Sequence, residues 1–460
     1  MVTGLQQNRA AQCLIALLPC MVILLGWMVI PHPVIAIAIG LLPLMLLFVI
    51  KFPYFMVLLF VLFSFFRLHE VFPQLYTLRI PLLLSLASLG ALVWHVGITR
   101  RVEPYWSPEF ARASLFYGAV IVSLVMATNR PLALSYFTST YWKIMLMSFA
   151  IAWLAREIGD FRLSLRLATL SGAAVGLVAL FNKANNIGIV EGSRVTIGRD
   201  LGSVLGDPND LSLVLLFPFS FALSLALSRG MSRWDRLLGL VVVVILVLAV
   251  IATQSRGGLL GIAAVVGVFA WSRIKSKSLL IGGASVLMVV LYFLAGIGAR
   301  KSGGAAEEGL DESAMGRLHA WEAAFGMAVD NPLTGVGMNN FYSNYFFYSE
   351  YWDGLNHAVH STWFGVLGET GFVGLALFLA MVIAMFKCAH RSLKKMCAAP
   401  ERFPPVMVTI AEGNLAGLVG FCVAGTFLTQ GFTWPLYILL AFIVAIAQFV
   451  ARNEVNHATN

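Results

Sequence analysis

Apolar runs of about 15 to 22 residues recur along nearly the whole chain, and that rhythm restricts what it can fold into more than any other feature. In hydrocarbon every backbone N–H and C=O must find its partner within the protein, so only helices or closed barrels can cross. The runs are continuous and do not alternate polar with apolar residues, which selects helices. Charged side chains make up only 12% of 460 residues and the mean hydropathy is +0.85, too apolar for an ordinary soluble domain. The expectation is an all-α polytopic membrane protein.

Fourteen candidate spans are expected, at 10–30, 34–50, 52–66, 80–96, 113–127, 140–154, 163–180, 211–227, 237–251, 258–271, 279–297, 371–386, 406–427 and 435–450. The third is short and reads either as re-entrant or as fused with its neighbour, so about 12–14 transmembrane helices are expected. An even number keeps both termini on one side. Lys and Arg in short loops mark the cytoplasmic face. With the N-terminus inside, "TRRVEPYW", "REIGDFR", "RGMSRWDR", "RIKSK" and "KCAHRSLKKMCAAPER" all fall inside. That bias accounts for much of the +9 net charge without nucleic acid as a partner. The first run lacks a small-residue cleavage site and is expected to stay as a span. Cys13, Cys20 and Cys422 fall in spans and Cys388 and Cys397 in an inside loop, so no disulfide framework is expected. The organisation expected is N-terminal helices over 1–180, a catalytic region over 181–374, and C-terminal helices over 375–460.

Two outer segments interrupt the rhythm, 181–210 and a long polar loop over 298–369. Long loops between tight helices are usually functional or disordered. The start of the second, "ARKSGGAAEEGLDES", has the composition of a mobile tip. After it, "AMGRLHAWEAAFGMAVDNPLTGVGMNNF" regains helical spacing, and the stretch that follows is rich in aromatics and asparagine.

Arginines on the outer side run against the orientation rule and need a reason. Arg256, in "TQSRGGLLG", stands at the outer start of a helix, where free N–H groups and the dipole favour an anion. Gly257 and Gly258 remove side chains that would hold a ligand off that backbone. The bland alternative is a guanidinium snorkelling to headgroups of membrane lipids. Arg194 and Arg199, in "SRVTIGRD", either bind a ligand or pair with Glu191 and Asp200. Arg317 either contacts substrate or bridges within its own loop.

The run "NHAVHSTWFGVLGETGFVG" sets titratable groups against a membrane helix. Several guanidiniums could hold a diphosphate in bidentate fashion, while an attacking hydroxyl needs a base near neutral pKa, which histidine supplies. His357 and His360, three apart, would share a helix face. Ser361 and Thr362 suit an N-cap, and Gly371 suits the join between a short helix and the next span. Glu369 lies about half a turn from His360 on an unbroken helix, so it reads equally as a helix-end carboxylate or a site group. HxxH lacks a third ligand at a recognisable offset, so no metal is expected. Asp207 and Asp210 in "GDPND" read as a turn with an Asp cap on the next helix.

The run "HSTWFGVLGETGFVG" resembles the signature of the O-antigen ligase and polymerase family, a histidine followed nine residues later by Glu-x-Gly. "GRLHAWEAAFGMAVDNPLTGVGMNNF", "RDLGSVLGDPNDLS" and "QSRGG" are similar to further segments of that family, so the resemblance covers about 194–374. Ser361 stands where the family often has Asn. The resemblance implies an architecture like other polytopic lipid-linked glycosyltransferases of the GT-C type, with one large periplasmic loop, in a bacterial inner membrane. It implies transfer of a glycan from undecaprenyl diphosphate to an acceptor at the periplasmic face, without cofactor or metal. By the same resemblance His360 would be the base and Arg256 and Arg199 would bind the diphosphate; Arg194, Arg317 and His357 remain candidate contacts, and Glu369 candidate support, on the reading of the residues alone. Three acceptors stay open: lipid A core (a ligase), another carrier-linked repeat of O-antigen or exopolysaccharide (a polymerase), or a protein side chain (an O-oligosaccharyltransferase). A membrane transporter is the alternative of another class; polar residues gathered at one face, with Glu412 as the exception, favour surface chemistry.

Overall fold

The computed structural model describes residues 33–72, 78–294 and 312–458, with the single positions 21, 24, 28 and 75. Candidate span 10–30, with Cys13 and Cys20, falls almost wholly outside the described residues, as does the loop start at 298–311. Each other candidate run coincides with a helix. In chain order these are α1 (Pro33–Lys51), α2 (Pro53–Phe65), α3 (Leu68–Val71), α4 (Ile80–Val93), α5 (Pro108–Val125), α6 (Arg130–Tyr136), α7 (Trp142–Leu154) and α8 (Ile158–Ala184). A two-stranded hairpin follows, β1 (Ile189–Val190) against β2 (Arg194–Val195). Then come α9 (Pro208–Leu227), α10 (Arg233–Thr253), α11 (Arg256–Arg273), α12 (Lys277–Leu294), α13 (Glu312–Asp330), α14 (Phe341–Tyr348), α15 (Thr362–Ala398), α16 (Pro405–Gly425) and α17 (Trp434–Ala458). The all-α polytopic class is what the structure shows.

Fewer spans are described than the twelve to fourteen expected for the whole chain. Among the described residues eight helices are long and apolar enough to cross a membrane, or nine if α1 and α2, bent by 95° at Phe52, make one span. α2 and α7 have 13 residues each, about 20 Å of helix, short of a hydrocarbon core of about 30 Å. The bend falls where Pro53 opens α2, because proline offers no N–H to continue the preceding ladder. At the other end of the chain α15 continues to Ala398, so Cys388 and Cys397 are helical and not in a loop.

One apolar core runs from Tyr54 in α2 to Val450 in α17. α9 is its axis: residues 211–222 are all buried, with α8, α10, α11 and α16 packed around it. A helix apolar on every side belongs inside a bundle, whereas α10 keeps Leu240, Val241, Val244 and Leu248 exposed, as a lipid-facing helix would. The successive helix directions divide the loops between two ends. One end carries Arg100, Arg101, Arg156, Arg229, Lys275 and Arg402. The other collects 66–79, 126–129, 185–207, 254–255, 331–361 and 426–433.

The long loop at that second end has a small core of its own, Ala320, Ala323, Ala324, Met327, Val336, Phe341, Tyr345 and Val359. It locks onto α15 partly through backbone hydrogen bonds. Val336 N donates to Gly368 O (2.9 Å), Gly337 N to Glu369 O (3.2 Å) and Phe372 N to Pro332 O (2.9 Å). Gly371 breaks α15 with φ +70°, and Gly335 opposite has φ +61°. A Cβ at Gly335 would collide with the Gly368 carbonyl, and one at Gly371 would come 2.6 Å from Pro332 O. "PLTGVG" and "ETG" are therefore two halves of one interlock.

Candidate active site

Three helices begin side by side at the loop-rich end, each with a side-chain cap. Asp207 accepts from Asn209 N and Asp210 N at the start of α9, as the sequence suggested. Ser255 accepts from Gly258 N at the start of α11, and Ser361 from Phe364 N at the start of α15. The three starts are stitched together. Ser255 Oγ donates to Asn209 Oδ1 (3.0 Å), Gln430 Nε2 donates to Asp210 Oδ1 (2.7 Å), and Gln430 N donates to Thr362 Oγ1 (3.1 Å). Arg256, first residue of α11, and His360, two residues before Thr362, therefore sit at the same end of the bundle. Three positive helix ends in one place make a region suited to negative charge.

His360 is not on a helix, which corrects the expected shared helix face with His357. Residues 356–361 are irregular, and His360 itself has φ +45°. Its neighbours hold it there. Val359 is buried with its carbonyl accepting from Trp321 Nε1 (3.1 Å), Trp321 stacks on Phe364 at 5.1 Å, and Ser361 is fully buried. A non-glycine residue kept in the left-handed region by its surroundings is a common feature of functional sites. Burial pushes the His360 imidazole below its ordinary value of 6.5; Arg317 and, less strongly, His357 push the same way, and Asp207 opposes them. The ring therefore stays neutral, able to accept a proton, at pH values where an exposed histidine begins to charge. Replacing Arg317 with Gln removes a cation that disfavours imidazolium, so the His360 titration followed by NMR is expected to move up toward 6.5. A midpoint that stays in place would mean that Arg317 does not act on this ring.

The other candidates separate by role. Arg194 is buried: Nε donates to Thr253 O (3.0 Å), Nη1 to Glu191 (3.1 Å) and Nη2 to Asn209 Oδ1 (2.7 Å). It thereby ties the hairpin to the ends of α9 and α10, in line with the pairing alternative. Arg199 is exposed, on a turn after Gly198, with Nη1 donating to Gly206 O (3.3 Å). Arg256 is half-buried at its helix start. Gly258 does not clear room for a ligand, which corrects that expectation, because a Cβ there would come 2.5 Å from the Ser212 side chain and its absence lets α11 pack on α9. His357 hydrogen-bonds to both oxygens of Asp353 (3.0 Å), holding that carboxyl below its usual range.

Glu369 is a helix-end group. Its buried carboxylate accepts from Asn339 N (2.8 Å) and Phe341 N (3.2 Å), at the start of α14. Glu412 meets Arg273 (2.9 Å) at the opposite end. Among the described residues no three His, Cys, Asp or Glu side chains cluster as a metal site would need.

Arg67, Asp210 and Gln430 join the region without having been singled out as site residues. Arg67 follows candidate span 52–66 on the outer side, so the orientation argument applied to Arg256 could have found it. Arg67 Nε donates to Glu70 (3.1 Å), and Glu70 also accepts from Ser203 Oγ, which fixes α3 to the turn carrying Arg199.

The fold and this end of it define a polytopic helical membrane protein with a polar, cation-bearing site at one face. Residues 241–379, about a third of the chain, match the family model for O-antigen ligase. The match spans Arg256, Arg317, His360 and Glu369; Arg194 and Arg199 lie before it. That family model points to enzymes of glycosyl-transfer type. No curated protein matches the chain.

Proposed function

We propose that the protein is an inner-membrane O-antigen ligase that moves a glycan from undecaprenyl diphosphate to lipid A core at the periplasmic face. His360 takes the proton of the acceptor hydroxyl as that oxygen attacks the anomeric carbon of the donor. The bond from that carbon to the diphosphate oxygen breaks, and the carrier diphosphate leaves with its charge held by Arg256 and Arg199. A diphosphate leaves as a stable anion, so charge stabilisation serves it better than a proton. Burial and, after it, the charge of Arg317 favour the neutral imidazole of His360, and Arg194 positions the hairpin. The bundle end with fewer short basic loops faces the periplasm.

The observation that supports this reading is the hydrogen-bonded tie from Thr362 through Gln430 and Asp210 to Asn209 and Ser255, which joins the helix start that follows His360 to the one that carries Arg256. Polymerase and protein-transfer reactions would use the same donor geometry. The deciding experiment offers the reconstituted protein lipid A core and carrier-linked repeat separately, and the account expects product from lipid A core. Product from the carrier-linked repeat alone would make the protein a polymerase. Replacing Arg256 with Lys is expected to raise the donor KM about tenfold, because an ammonium keeps the charge and loses the bidentate fork. An unchanged donor KM would favour the snorkelling alternative.

A further inference from the structure

A cavity of about 180 Å³ opens among α2, α6, the start of α9 and the start of α17, lined by Phe65, Arg67, Tyr136, Asp210, Gln430 and Trp434 among others. Pockets for drug-sized ligands run to roughly 300–1,000 Å³, so this one has room for a single small ring. Its polar wall is a linked set. Asp210 accepts from Gln430 Nε2 (2.7 Å), and Gln430 Oε1 accepts from Thr433 (2.5 Å). Its apolar wall is Leu213, Val214 and the Trp434 indole, whose ring is fixed edge-on against Phe60 at 5.1 Å. A phosphate fits this lining less well, since it would face the Asp210 carboxylate while Arg67 Nε is bonded to Glu70. A polyhydroxylated ring fits it well: hydroxyls donate to the carboxylate, accept from the amide, and leave a C–H face for the indole.

The position is as informative as the chemistry. Gln430 N donates to Thr362 Oγ1, and Thr362 also donates to Leu428 O (2.7 Å), so the cavity wall is bonded to the helix that begins two residues after His360. We propose that this cavity holds one neutral pyranose of the acceptor glycan, with Asp210 and Gln430 binding its hydroxyls. The sugar is thereby set at the same end of the bundle as the imidazole, with Val204 from the turn that carries Arg199 in the cavity lining. This inference rests on the glycosyl-transfer reading above.

The test uses the full chain in two arms. In steady-state transfer with donor and acceptor varied separately, Thr140→Phe, which fills the cavity from a half-exposed wall and keeps every polar anchor, is expected to raise the acceptor KM about tenfold and to leave the donor KM unchanged. Gln430→Ala, which removes a hydrogen bond to a substrate hydroxyl and also the bond to Asp210, is expected to raise the acceptor KM by at least as much. A rise in donor KM for Thr140→Phe, or no change in acceptor KM for either variant, would overturn the assignment. The second arm needs no turnover: saturation-transfer NMR with free glucose, galactose, N-acetylglucosamine and a heptose. At least one sugar is expected to give a signal that Thr140→Phe removes. No signal from any of them, or one that survives the filled cavity, would overturn the cavity assignment, whereas a removable signal from a protein that transfers nothing would count against the transfer reading alone.

Discussion

Replacing His360 with Ala is expected to lower glycan transfer by about two to four orders of magnitude, the range a positioned general base contributes. Membrane insertion and thermal stability should change little. The imidazole is half-buried at the end of an irregular segment, and the contacts that fix that segment belong to its neighbours: Val359 O to Trp321, and Ser361 as the cap of α15. Alanine occupies the left-handed region less readily than histidine, a local cost below about 1 kcal/mol. His360→Asn separates the two effects, because Asn accepts the left-handed conformation without offering a base. Both variants should lose transfer alike. If the Asn variant, or the Ala variant, transfers at the wild-type rate, His360 is not the base.

Replacing Glu369 with Ala is expected to cost about 2–5 kcal/mol of stability, read as a lower unfolding midpoint in detergent, since two buried backbone N–H groups at Asn339 and Phe341 lose their acceptor. The loss should spread. Those residues open α14, and the preceding segment from Pro332 to Gly337 is clasped to the Gly371 break, so the loop that positions His360 loosens with it. Glu369→Gln keeps one acceptor oxygen but turns its NH2 toward the other N–H, so it should lose about half as much stability as the Ala variant, with transfer falling in step. A Gln variant that is fully stable and inactive would instead give Glu369 a chemical role that the structure does not suggest.

What could be read from the sequence was the local chemistry. Asp207 and Ser361 as caps and Gly371 as a break follow from residue types whose backbone preferences need no distant partner. Runs of apolar residues likewise marked the helices, although length alone could not tell a full span from the 13-residue α2 and α7. What stayed hidden depends on tertiary contact. The pattern HAVH reads as helical by spacing, yet Trp321, 38 residues before Val359, holds the segment open. Gly258 looked like a place for a ligand and proved to be a place for Ser212. Asp210 and Gln430 are 220 residues apart, so no local pattern could join them. Arg67 was within reach and passed over, since its position relative to an apolar run matches that of the arginines considered.

The central claim is that the cationic donor site around Arg256 and the His360 base open to the same side of the membrane and share one substrate. Single cysteines placed at Gln254→Cys and Ala358→Cys, in a chain whose five native cysteines are replaced by Ser, report on both halves in oriented vesicles. An impermeant maleimide should label both from the periplasmic side, and carrier-diphosphate-linked glycan should protect both. Labelling from opposite sides, or protection of one position while the other stays fully reactive, would contradict a shared site.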